Sequence, residues 1–141
     1  MSNSIRSIVE DRIQAFLVES GELSHPILRG QDSTEKQGSA VIIYAPSADA
    51  QDLGVSHLGN FRVSLEVHIF TNFYDNTLEG HRSQADIVES LLQESDILSD
   101  FWGAEYGTLY NISLQNIDEG KDDDKWGNLL RFEVHCCLPE A

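Results

Sequence analysis

Positive charge is what this sequence has least of: Lys and Arg number 9 against 24 Asp and Glu, a formal charge of −15. A nucleic-acid-binding surface needs clustered Lys and Arg to displace counterions from phosphate, so the balance argues against that class. DNA passing nearby is not excluded, because a negative wall repels a duplex and lets it slide without sticking. Long apolar runs are missing as well. No stretch reaches the roughly 18 apolar residues of a membrane span, and the amino terminus lacks the basic-then-apolar layout of a signal peptide. The chain is therefore expected to stay in the cytosol where it is made, unless it leaves as part of a larger particle. Cysteine is scarce. Cys136 and Cys137 are adjacent, so they fall on opposite faces of a strand and form neither an ordinary bridge nor a CxxC metal knuckle. They are read as reduced, with Cys136 a small buried hydrophobe.

Chemical signatures are equally scarce. There is no GxGxxG, GxxxxGK[ST], HExxH or GxSxG, which removes the phosphate-cradling, zinc-protease and nucleophile-elbow readings. No catalytic residue and no cofactor is expected.

What remains is pattern. From Phe61 to Thr71, apolar Phe61, Val63, Leu65, Val67 and Ile69 alternate with polar Arg62, Ser64, Glu66 and His68. That period of two fits a strand with one face on a core and the other toward water or a partner. With 141 residues the chain is long enough to bury roughly two-thirds of its unfolded surface as one domain, without disulfides or metal.

Ile5, Ile8, Val9, Ile13, Phe16 and Leu17 recur at helical spacing over 4–20, with Asn3 or Ser4 as N-cap and Gly21 as terminator. The stretch 21–39 reads as an extended connection, interrupted by Pro26, Gly30 and Gly38. A short strand buried on both faces follows over 40–45, closed by Pro46, and then a long polar loop to Asn60. A helix over 78–94 carries Ile87, Val88, Leu91 and Leu92 on one stripe, with Glu79, Asp86 and Glu89 outward. Ser95 to Leu98 reads as a short extra turn, and Phe101–Trp102 closes the core over the helix end. Strands over 108–117 and 126–138 make a hairpin whose charged tip holds Asp122, Asp123 and Asp124; Tyr110, Ile112 and Leu114 share one face of the first. The expected fold is α+β: a four-stranded, mainly antiparallel sheet covered by an N-terminal helix and a helix between the strand pairs.

The remaining chemical candidate is His68 with His135, each preceded two residues earlier by a glutamate. On neighbouring strands in register they would assemble a zinc- or iron-type site. The plainer reading is a polar sheet face on which Arg62 and Arg131 balance Glu66 and Glu133. His25, His57 and His81 are read as surface residues. Asp122–Asp124 lack the alternate-position ligands of a calcium loop and read as a solvated tip.

The order of elements, the segment Val67-His68-Ile69-Phe70-Thr71, the helix Ala85-Asp86-Ile87-Val88-Glu89-Ser90-Leu91-Leu92 and the closing Leu130-Arg131-Phe132-Glu133-Val134-His135-Cys136 resemble tail terminator proteins of long-tailed bacteriophages. These are also called tail completion or minor tail protein U-like proteins. The resemblance runs from Val41 to Leu138; the stretch 21–39 is longer than the family pattern. It implies a homohexameric ring that caps the tail tube, stops its polymerisation and faces the head–tail connector protein, with genome DNA passing without specific binding. It also implies a virion location in the tail or neck after assembly in the host cytoplasm, and no membrane. Leu53, Val55 and Leu58 in one loop and Asp122, Asp123 and Asp124 in the other are the expected contact residues. Three other readings follow from the same sequence: another phage neck, connector or baseplate component, a small metal-binding domain or enzyme using His68 and His135, and a dimeric interaction module.

Overall fold

In the computed structural model, which describes residues 4–23, 25–29, 39–51, 59–72, 77–121 and 125–139, the first helix is α1 (Ile5–Ser20). It begins where the Ser4 hydroxyl accepts the Ser7 N–H at 3.2 Å. It ends at Gly21, whose φ of 67° is the left-handed conformation that glycine adopts without strain. Then come β1 (Ile27–Arg29), β2 (Ala40–Gln51), β3 (Asn60–Asn72), α2 (Leu78–Gln93), α3 (Ser95–Trp102), a 3-10 turn (Ala104–Tyr106), β4 (Thr108–Lys121) and β5 (Lys125–Cys137).

The fold is α+β, with a sheet of five strands in the order β1-β2-β3-β5-β4. This corrects the four-stranded expectation. The additional strand, β1, comes from the stretch read as an extended connection, and it pairs parallel to β2 at Ile27–Val41, Leu28–Ile42 and Arg29–Ile43. Three residues are too few to print a period, so sequence pattern alone cannot show them. The other neighbours are antiparallel.

Pro46, expected to close β2, lies inside it. Tyr44 faces Glu66 while Ser47 faces Ser64, so β2 holds one residue more than β3 across this step. A proline cannot donate to the ladder, and a bulge is where a strand tolerates that loss. The neighbouring Ala45 is fully buried, and α1 supplies its partners. Its N–H donates to Glu10 Oε2 at 2.8 Å, and its carbonyl accepts from Arg6 Nε at 2.9 Å. Glu10 Oε1 also takes Arg29 Nη2 at 2.9 Å, so one glutamate ties α1 to both β1 and the bulge of β2.

All three helices in the described residues share one side of the sheet, α1 over β1–β3, α2 over β3, β5 and β4, and α3 against β4. Their apolar faces meet Val41, Ile43, Val63, Leu65, Val67, Ile69, Leu130, Phe132 and Val134 in one core. The Cys136 thiol belongs to it, its pKa pushed up to about 12 by burial, which leaves it a neutral, inert group at physiological pH.

His81 departs from the surface position expected for it. It is fully buried under the first turn of α2, with Nδ1 2.9 Å from Thr71 Oγ1 and its ring stacked on Trp126 at 6.1 Å. Burial lowers its pKa below the ordinary histidine value; Glu119 pulls it back up, His25 and Arg82 push it further down, and a contact with Asn128 raises it. A folded pKa below the unfolded one means that the neutral ring stabilises the fold. That contribution is complete above the unfolded value of about 6.5 and is lost as pH falls through the folded value. The urea midpoint of His81→Gln should therefore change less than that of the wild type between pH 7.5 and 5. Parallel curves for the two proteins would show that His81 is not the group responsible.

Candidate interaction faces

The far side of the sheet carries no helix among the described residues, and register sets its side chains in rows. Tyr44, Glu66, Arg131 and Asn116 stand side by side, as do Asp49, Arg62, His135 and Asn111. Ion pairs knit the rows: Arg62 to Glu133 at 3.5 Å, Arg131 to Glu66 at 3.8 Å and to Asp118 at 2.8 Å. Each exposed pair is worth about 0–1 kcal/mol. Their larger effect is to compensate charge on a face of a chain that is otherwise strongly negative.

His68 and His135 both lie on this face, but apart. His68 stands opposite Leu129 and His135 opposite Arg62, a separation of roughly 20 Å along the strands at about 3.3 Å per residue. Each imidazole instead meets the glutamate two positions before it, His68 with Glu66 at 3.3 Å and His135 with Glu133 at 3.0 Å. Among the described residues no three His, Cys, Asp or Glu side chains are grouped to hold a metal. The juxtaposition that the metal-site alternative requires is absent, and the cross-strand pairs of Arg62 and Arg131 with the glutamates are present.

Two exposed aromatics also mark this side. Tyr110, expected on the same face as Ile112 and Leu114, is 55% exposed. A bulge between Leu109 and Asn111 moves it out of alternation, and its hydroxyl donates to Asn60 Oδ1 at 3.3 Å. Tyr44 is 42% exposed. The sequence signal for Tyr110 is present in hindsight: Leu109 and Ile112 are both buried, three apart rather than two.

The helix side is different. Glu22, Glu79, Asp86, Glu94, Asp96, Asp100 and Glu105 are all exposed, and none forms an ion pair with a described residue. The cation in their midst, Arg82, is held bidentately by Glu119 at 3.0 and 2.9 Å. That bond lowers the Glu119 pKa and is the main cause of the shift. A groove of about 300 Å³ runs along α2, lined by Glu22, Asp86, Ile87, Leu91 and Glu94 among others. Ile87 and Leu91, expected on the buried stripe, are only half-buried, and the stripe is His81, Ala85, Val88 and Leu92.

The expected contact residues Leu53, Val55, Leu58, Asp122, Asp123 and Asp124 lie outside the described residues, as does His57. No described helix is long and apolar enough to cross a membrane.

No protein-family model matches the chain, and no curated protein sequence matches it. Among solved structures, a chain of the virion of a native gene transfer agent particle is similar in fold, with a TM-score of 0.60 at 12% sequence identity over 96% of this chain and 99% of that one.

Proposed function

We propose that this chain is a structural protein of a phage-type virion, and within it a tail terminator. Six copies close into a ring on the end of the tail tube, end its polymerisation and present a surface to the head–tail connector protein. The chain acts without catalysis, in the tail or neck of the particle, after assembly in the host cytoplasm. The observation that carries this reading is the fold shared along nearly the whole length of both chains with a component of a gene transfer agent virion. The order of elements that resembles tail terminators narrows it. The formal charge of −15 supports a ring through which genome DNA passes without specific binding, and Leu53, Val55, Leu58 and Asp122–Asp124 are the proposed contacts toward neighbours.

Another position in the same particle, in the neck or baseplate, draws on the same fold likeness, because that likeness does not distinguish positions along a tail. Tube growth separates the two. Adding the chain to elongating tubes of the tail protein from the same particle should stop growth at one end and leave a ring there, visible by negative-stain imaging. Tubes of unchanged length with bare ends would contradict the terminator reading, and binding to the connector or baseplate instead would place the chain there.

A further inference from the structure

We infer that the groove along α2 is a docking site for a different protein, one that presents an aliphatic side chain flanked by Lys or Arg. Ile87 and Leu91, one helical turn apart, are only half-buried beside the buried stripe of α2. Leu91 also packs against the core, and Ile87 and Leu91 line the groove together with Ser83 and Ser90. Its rim is of one sign, with Glu22, Asp86 and Glu94 along it, none ion-paired to a described residue. Like charges around a partly apolar trough repel one another, and a cationic occupant relieves that repulsion while its aliphatic part covers Ile87 and Leu91.

The chain's own cations argue against a second copy as the occupant. Of its 9 Lys and Arg, Arg12, Arg29, Arg62, Arg82 and Arg131 are already held by its own carboxylates. Charge complementarity selects a basic partner. This inference stands apart from the terminator reading, since it needs only the groove.

The test uses two synthetic, end-capped 12-residue peptides of identical Leu and Lys content. One has leucines spaced to form a single helical stripe flanked by lysines, and the other is shuffled so that no stripe forms. Titrated into the full chain at physiological salt and followed by backbone amide NMR, the striped peptide should shift amides along α2 from Ser83 to Glu94 and at Glu22. It should bind roughly tenfold more tightly than the shuffled one. Ile87→Ser, at a half-buried position, and Asp86→Lys should each weaken it by roughly tenfold, with circular dichroism unchanged. Equal binding of both peptides, shifts scattered over every acidic surface, or variants that bind like the wild type would overturn the proposal. So would a chain that dimerises through this groove and loses the dimer on Ile87→Ser.

Discussion

Gly107→Ala should unfold the β4 end of the sheet and cost at least ~3 kcal/mol, lowering the melting temperature by roughly 10 °C. Gly107 joins the 3-10 turn to β4 with φ 106° and ψ −148°, a region closed to residues with a β-carbon. Space is the stronger objection. A Cβ at this position would collide with the carbonyl oxygen of Cys137, which is backbone and cannot swing away as a side chain does. Relief requires β4 to back off from β5 at Thr108–Cys137 and Leu109–Cys136, which also withdraws Leu109 from the core. Gly120→Ala is the matched control. Its φ is not positive and nothing lies within 4 Å of its Cβ position, so the change should stay within about 0.5 kcal/mol. Equal melting temperatures for the two variants would show that the Gly107 conformation is not required.

Glu10→Ala should cost ~2–3 kcal/mol. It strands the N–H of Ala45, a fully buried residue, whose acceptor is Glu10 Oε2 at 2.8 Å. It also leaves the Arg29 guanidinium without its carboxylate, and Arg29 Nε already lacks a hydrogen-bond partner. Glu10→Gln keeps an oxygen for the Ala45 amide but turns an NH2 donor toward the Arg29 guanidinium in place of the second carboxylate oxygen, so it should recover about half of the deficit. Hydrogen exchange gives the specific readout, because the Ala45 amide should lose protection in Glu10→Ala before its neighbours in β2 do. If Glu10→Ala and Glu10→Gln were equally stable, the amide contact would contribute nothing and the pairing with Arg29 would account for the whole effect.

These two positions show where the sequence was silent. Alternation printed β3 clearly, because its core-facing Val63, Leu65, Val67 and Ile69 are fully buried and the residues between them look outward. Ser4 and Gly21 marked α1 for an equally local reason, capping chemistry. The β2 bulge is illegible because the groups that satisfy its Ala45 backbone, Glu10 and Arg6, lie 35 and 39 residues away in sequence. Half of the α2 stripe is legible, since Val88 and Leu92 are buried as expected and Leu91 packs at the edge of the core; His81 reads as polar, and only its contacts with Thr71 and Trp126 show that it joins the buried side. The two sheet histidines were correctly placed on a polar face, but only register shows how far apart they lie, and register depends on turns and bulges that leave little trace in composition. Interaction surfaces are the hardest to read. Nothing local separates a carboxylate that waits for a partner from one that is merely solvated.

The reading of this chain as a ring-forming virion subunit is tested most directly by its absolute mass in solution, measured by light scattering across a dilution series and accompanied by negative-stain imaging. The account predicts particles of about six times the 15.8 kDa chain mass, seen as closed rings, or monomers that become rings when tail tubes are added. A dimer that persists on dilution and ignores tubes would contradict it.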